Sequence, residues 1–158
     1  MTARKKLLGD LMGRFSKVSE PEPNDAVLAE LTLLRERVPG LTGTLVASSD
    51  GLLIAHDLPS EIEPTGMAAL SASQLALSHR LASTALGGGF HEVVVRGTGG
   101  HVVVYAADWS SLTVLAGPEV NVGRLHLESR PAARAIADHL GILTGKHSKD
   151  RTNTNGKE

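Results

Sequence analysis

The arrangement of β-prone runs constrains the fold of this chain more than any other feature of its sequence. The stretch HEVVVRGTGGHVVVYAADWSSLTVLAG holds three such runs, which short turns separate and which lie at about 91–96, 101–106 and 111–116. Two further runs lie in GTLVASSDGLLIAHDL, where Asp50-Gly51 is a strong signal for a tight turn. Because these strands come in hairpins rather than alternating singly with helices, the sequence predicts an antiparallel sheet.

Three segments with helical periodicity surround these strands. The first, AVLAELTLLRERV, repeats apolar residues at helical spacing and ends at Pro39-Gly40. The second, EPTGMAALSASQLALSHRLASTAL, ends at the glycine run 87–89, and the last covers about 122–143. The order helix, two strands, helix, three strands, helix predicts an α/β (α+β) fold, in which a five-stranded antiparallel sheet carries helices on both faces.

Residues that favour helix N-termini mark the expected start of each helix. Asn24 and Asp25 are suitable caps for the first helix, and Thr65 is a suitable cap for the second. Asn121 is placed to satisfy free amides in the first turn of the last helix. Glycine-bearing junctions of this kind sometimes bind ligands, but we interpret Asn121–Gly123 as a corner of the fold.

Length and composition indicate one globular domain with extensions. A chain of 158 residues fits a single domain, and 41% hydrophobic residues are sufficient for a core. We expect the domain at 26–143, a linker with two prolines and three acids at 19–25, and a disordered polar tail at 144–158. The sequence has no cysteine and no apolar run long enough to span a bilayer, so we expect a cytoplasmic protein.

The N-terminal segment 1–18 has a different character from the rest of the chain. Its apolar residues recur at helical spacing beside five basic residues and one acid, at Leu7, Leu8, Leu11, Met12, Phe15 and Val18. A basic amphipathic helix of this kind can lie on an anionic membrane or dock on a partner protein. A basic tail without fixed structure is the alternative, since Gly9 and Gly13 each weaken a helix by about 1 kcal/mol.

The sequence contains no arrangement of residues that is typical of a catalytic or metal site. It lacks a nucleophile elbow, a phosphate-binding loop and a glycine-rich turn that leads into a helix. Its seven histidines have no metal-ligand spacing, and its net charge of −1 argues against broad binding to nucleic acid. We therefore expect a protein that is not an enzyme, with no cofactor, no metal and no nucleic-acid partner.

The second helix is the most informative segment for function. Its leucines form stripes, and most of the surface between them is Ala and Ser, so the helix lacks the charged face of an ordinary surface helix. We expect burial on two sides, against its own sheet and against a second copy of the chain; cover by the chain's own N-terminal segment is the alternative. The expected interface residues lie on this helix and on the following strand: Met67, Leu70, Gln74, Leu77, Arg80, Leu81, His91, Val93 and Val95.

The chain resembles the Roadblock/dynein light-chain domain family over about residues 25–143. The resemblance rests on LTGTLVASSDGLLIAHDL, on the Ala/Ser-rich helix, on the stretch from HVVVYAADWSS to ARAIADHL, and on the order of these elements. It implies a Roadblock/profilin-like fold and a homodimer that pairs through the second helix and the edge of the third strand. It also implies a non-catalytic regulator or scaffold for a small Ras-like GTPase, as in bacterial signalling or polarity systems.

The same resemblance limits what individual residues are expected to do. The family has no catalytic residues to carry over, and its activators are thought to reshape the GTPase. This precedent argues against Arg80 as an arginine finger, although Arg80 is the obvious candidate on the helix. A small-molecule sensor or a general protein-interaction module is the alternative function, because related folds hold ligands between sheet and helices.

Overall fold

A computed structural model describes the backbone of residues 23–149 and the side chains of 24–141. The segment 1–18 and residues 150–158 of the expected tail lie outside these described residues. No helix within the described part is long and apolar enough to cross a membrane.

The order of elements is the predicted one. Helix α1 precedes the β1–β2 hairpin, α2 follows it, and a three-stranded meander leads to α3. The bounds are α1 Pro23–Arg37, β1 Leu41–Ser48, β2 Leu53–Asp57, α2 Pro64–Ala85, β3 Glu92–Gly97, β4 Gly100–Ala107, β5 Ser110–Ala116 and α3 Val122–Lys149.

Helix boundaries differ from the sequence predictions at three places. Helix α1 begins at Pro23, so the last three residues of the expected linker form its first turn, where proline is well tolerated. Helix α2 is capped by Glu63 and not by Thr65, because the Glu63 carboxylate accepts hydrogen bonds from the amides of Thr65 and Gly66. Helix α3 continues to Lys149, so the first six residues of the expected tail are helical.

The five strands form one antiparallel sheet in the order β2-β1-β5-β4-β3. The β1–β2 hairpin and the three-stranded meander are therefore joined through β1 and β5, which pair from Leu41 opposite Ala116 to Ser48 opposite Ser110. Strands β2 and β3 lie at the two edges. Gly100 permits the tight turn into β4, because its φ of 140° is unusual for other residues and a Cβ there would meet the carbonyl oxygen of Ala116 at 2.1 Å.

Helices α1 and α3 cover one side of the sheet, which we call the closed face. Val46, Leu112 and Tyr105 lie side by side on β1, β5 and β4 and point into this layer. They pack in one continuous cluster with the apolar sides of both helices, including Leu31 and Ile136, which are fully buried. Most of the hydrophobic core lies here.

Helix α2 covers the opposite side, which we call the open face, and it is the one helix of residues 23–149 that does so. The buried apolar cluster between this helix and the sheet consists of only Leu45, Ala47 and Ala68, with three partly buried neighbours. Ser71 of α2 and Ser111 and Thr113 of β5 are also buried here, and their hydroxyls have no hydrogen-bond partner among the described residues. The open face is therefore thin and partly polar. The prediction of helices on both faces is confirmed, but the two layers are unequal.

Candidate protein-interaction site

The outer surface of α2 carries a row of exposed leucines. Leu70, Leu77 and Leu81 are 68%, 66% and 69% exposed. Their spacings of seven and four residues place them on one side of the helix. Large apolar side chains in a contiguous row are rare on a surface that meets only water, so this leucine row is a candidate contact surface for another molecule.

The underside of α2 explains why so many of its residues are small. Ala68, Ser71 and Ala72 are buried against the sheet, where short side chains let the helix lie close to the strands. The remaining small residues Ala69, Ser73 and Ala76 are exposed, in a strip beside the leucine row. Arg80 is exposed in the same strip and forms no ion pair within residues 24–141.

Two expected interface residues on α2 are less exposed than the leucine row. Met67 is half-buried and packs against the apolar cluster of the open face, so it contributes mainly to the fold of its own chain. Gln74 is also half-buried, and its amide nitrogen donates to the hydroxyl of Ser78 at 3.1 Å. The helix is thus rotated so that Leu70, Leu77 and Leu81 point outward while Met67 points toward the sheet.

The predicted residues of the third strand lie at a free sheet edge. Strand β3 pairs with β4 on one side, and no strand pairs with its other side within residues 23–149. Val93 lies in the same row across the sheet as Leu45, through Val104 on β4 and Thr113 on β5. Because Leu45 belongs to the open-face cluster, Val93 points toward the open face, and so does Val95 two residues later. Val95 is 45% exposed, and His91, just before the strand, is exposed.

The leucine row and the β3 edge belong to the same side of the molecule. Helix α2 contacts β3, and the sheet beyond the helix forms a shallow groove of about 310 Å³ lined by Val95, Val102 and Leu115. Leu77, Leu81 and Val95 are therefore accessible from the same direction. An unpaired strand beside exposed leucines can accept a second sheet edge and a second helix together.

The closed face carries a polar cleft at the same edge of the sheet. It has a volume of about 580 Å³ and is lined by Phe90, His91, Glu92, Tyr105, Ala106, Arg130, Ala133 and Arg134. Arg130 forms an ion pair with Glu92, and this hydrogen bond raises the pKa of Arg130. Arg134 has no ion-pair partner within residues 24–141.

A buried hydroxyl and a histidine connect the strands with α3 near this cleft. The hydroxyl of Tyr105 lies 2.8 Å from His126 Nδ1, and the two rings meet edge to face. Burial raises the pKa of Tyr105 to about 12, so its hydroxyl stays neutral. Glu92 approaches the same histidine at 4.0 Å. This arrangement holds α3 against the sheet.

Sequence reasoning proposed a site on α2 and β3 but did not indicate the cleft. The cleft joins residues of the third strand with residues of α3, and no local periodicity relates 92 to 130. Val94, which is 38% exposed on the closed-face side of β3, was also missed. Only the strict alternation of strand side chains could have suggested it. No group of three or more metal-ligating side chains occurs among the described residues.

Asn121 lies where the sequence predicted, at the start of α3. Its side-chain oxygen accepts a hydrogen bond from the amide of Arg124 at 2.9 Å, which is the geometry of a helix cap. The junction that it forms is a corner of the fold.

Comparison with known proteins gives a consistent family. The model of the Roadblock/LC7 domain matches residues 27–116. An uncharacterized protein of Methanocaldococcus jannaschii, MJ0714, is 29% identical over 112 residues, which cover 71% of this chain and 92% of that protein.

Solved structures with the same fold include a Roadblock/LC7 domain from Streptomyces avermitilis. It is 27% identical, with a TM-score of 0.63 over 71% of this chain and 95% of that one. MglB of Myxococcus xanthus has a TM-score of 0.71 at 18% identity and covers 80% of this chain and 96% of its own. The gliding protein MglB of Thermus thermophilus has a TM-score of 0.66 at 20% identity, over 78% and 95%.

Proposed function

Because the chain belongs to the Roadblock/LC7 domain family, we propose that it is a non-catalytic homodimer that binds and regulates a small Ras-like GTPase in the cytoplasm. The observation that carries this proposal is the exposed leucine row Leu70–Leu77–Leu81 beside the free β3 edge. The choice of a GTPase follows from the Roadblock resemblance, since fold alone does not identify a partner.

The homodimer is supported by two incomplete surfaces on the same side of one chain. A second copy related by a two-fold axis presents an identical edge and an identical leucine row, so both surfaces are covered in a single self-complementary interface. Pairing of β3 with its mate also removes an exposed strand edge that would otherwise promote aggregation. The expected interface comprises Leu70, Leu77, Leu81, Val93 and Val95.

The GTPase would dock on the strip of α2 beside the leucine row. Ala69, Ser73 and Ala76 are exposed there and are small enough for a partner's backbone to approach closely. Arg80 adds a cation that no carboxylate neutralises within the described residues. In the dimer the two strips flank the axis, so one GTPase can contact both copies.

The test is to isolate proteins that co-purify with this chain and to measure GTP hydrolysis by any GTPase among them. The wild type, Arg80→Ala and Leu70→Asp would be compared, with Leu127→Asp as a matched control. Leu127 is 70% exposed on α3, which covers the other face of the sheet. Loss of binding in Leu70→Asp but not in Leu127→Asp would support the dimer as the form that binds, and loss in Arg80→Ala would support the docking strip; hydrolysis of GTP by the purified protein alone would contradict the proposal.

A second candidate function, sensing of a small anion, is favoured by the cleft on the closed face. The free guanidinium of Arg134 and the Phe90 ring both line it. Thermal unfolding would be followed in citrate and in inorganic phosphate, each against chloride at equal ionic strength. A stabilisation that Arg134→Gln abolishes would favour the sensor. The control is Arg37→Gln, which removes the same charge from α1.

For residues 1–18 we propose docking on anionic lipid or on a partner. Their five basic side chains beside an apolar stripe support this role. Co-sedimentation with vesicles that contain phosphatidylserine would be compared for the full chain and for a variant that lacks these residues. Equal sedimentation of the full chain and the variant would favour the alternative, in which residues 1–18 are a basic tail without a lipid-binding role.

A further inference from the structure

The β3 edge carries opposite charges at matched distances from one residue. Glu92 lies two positions before Val94 and Arg96 lies two positions after it. Building on the homodimer proposed above, we propose that the two copies pair β3 with β3 in an antiparallel register centred on Val94. This register places Glu92 of each copy opposite Arg96 of the other.

The position of the leucine row restricts the possible registers. Both copies must present their leucine rows on the same side of the joined sheet, so the two-fold axis is perpendicular to the sheet. Directly opposed residues of antiparallel strands point to the same side, and successive residues alternate between sides. The axis must therefore pass between a residue and its own mate, because an axis between successive residues would oppose side chains that point to different sides.

Charge then selects among the three central residues of the strand. Glu92 and Arg96 point to the closed-face side, as their partners Tyr105 and His101 on β4 show. An axis at Val93 would place Glu92 opposite Val94, and an axis at Val95 would place Arg96 opposite Val94. Only an axis at Val94 brings each carboxylate opposite a guanidinium.

The two groups differ in how accessible they are. Arg96 is exposed and forms no ion pair within residues 24–141. The Glu92 side chain is 14% exposed and binds Arg130 through Oε1, so Oε2 is the atom that Arg96 of the second copy would approach. On the open-face side the same register opposes Val93 and Val95 of the two copies, which is a favourable pair of β-branched side chains.

Single cysteine substitutions test this register directly. The chain has no cysteine of its own, so a disulfide can form only between the introduced thiols of two copies. Opposed Cα atoms lie about 4.5–5.5 Å apart, within disulfide range, whereas residues displaced by one pair lie more than about 7 Å apart. We expect Val94→Cys to form a covalent dimer on mild oxidation. Val93→Cys and Val95→Cys should each stay uncrosslinked alone but crosslink when the two variants are mixed and allowed to exchange subunits.

A charge variant provides an independent test. Arg96→Glu opposes two carboxylates at each end of the strand pair and should weaken dimerisation about three- to tenfold, measured by analytical ultracentrifugation. Arg134→Glu, the matched control on α3, should have a smaller effect. Equal effects of the two variants would contradict the pairing of Glu92 with Arg96.

The outcomes separate this proposal from the one on which it rests. A wild-type chain that stays monomeric overturns the homodimer and the register together. A dimer that crosslinks through Val93→Cys or Val95→Cys alone, or through none of the three, overturns only the register. The measurements of GTPase binding and GTP hydrolysis described above remain a separate test, whichever register the crosslinks show.

Discussion

The closed and open faces of the sheet are built from the same five strands but differ in how many apolar side chains the described helices bury against them. On the closed face, α1 and α3 bury leucine, isoleucine and valine side chains in one continuous cluster. On the open face, α2 buries alanine, serine and a few larger side chains and turns three leucines toward solvent. Among residues 24–141, most of the buried apolar side chains thus lie on the closed face.

This difference separates residues that stabilise the fold from residues that are available for binding. A fully buried side chain of the closed-face cluster contacts its own chain on all sides, so its loss leaves a cavity. A leucine of the outer row contacts little of its own chain, so its replacement should change association more than folding. Each prediction below tests one side of this comparison.

The largest effect is expected for Ile136→Ala on the closed face. Ile136 is fully buried, and truncation of such a residue should lower the free energy of unfolding by about 2–5 kcal/mol. Urea denaturation measures this change, with Leu127→Ala as a control because Leu127 lies exposed on the same helix. Similar losses in the two variants would show that the closed face is not the main source of stability.

Leu77→Glu should separate association from folding on the open face. A second copy would bury the new carboxylate without a partner, so we expect dimerisation to weaken at least about tenfold. The mass measured by light scattering at micromolar concentration should fall from twice the 16.5 kDa chain mass toward that mass. Leu52→Glu is the control, since Leu52 is equally exposed. A wild-type protein that is already monomeric would remove the basis of the comparison.

A smaller effect is expected for Tyr105→Phe, which tests a polar contact within the closed face. The substitution keeps the ring and removes the hydroxyl that lies 2.8 Å from His126 Nδ1. We expect a loss of about 0.5–1.5 kcal/mol in the free energy of unfolding, with the dimer mass unchanged. Unaltered stability in urea would mean that the ring alone holds α3 at this point.

The smallest effect is expected for Glu63→Gln at the N-terminus of α2. Hydrogen bonds from the amides of Gly66 and Thr65 lower the pKa of Glu63 from its ordinary value of 4.5. Its stabilising contribution is therefore fully present above that value and is lost as the pH falls through the lowered pKa of the folded state. Thermal midpoints should differ between wild type and variant at pH 7 and converge in more acidic solution. A difference that is constant with pH, or is matched by Glu61→Gln, would contradict the cap.

Sequence patterns predicted the helices and strands of both faces, but they did not predict that the apolar cluster on the closed face is much larger than the one on the open face. Strand alternation and turn residues fixed the two hairpins, since Asp50-Gly51 and the glycine-rich turn before β4 are local signals. The rotation of α2 is not local, because the contacts of Ala68 and Ser71 with the sheet decide that Leu77 points outward while Met67 points inward. The cap at Glu63 was missed although its signal is local, because Pro64, which has no backbone N–H, occupies the first helical position and so places the cap at the residue before it.

The strand order also has a consequence for the nascent chain. Strand β1 leaves the ribosome early, but its neighbour β5 is made some sixty residues later, after the whole of α2 and the next two strands. Until then one edge of β1 is unpaired, and both faces of this strand carry large apolar side chains, Val46 on one and Leu45 on the other. The loop-closure entropy of this long connection must be paid before the contacts between β1 and β5 can form, so joining of these two strands is expected to limit the folding rate. During synthesis β1, rather than β3, is therefore the strand most in need of protection from aggregation.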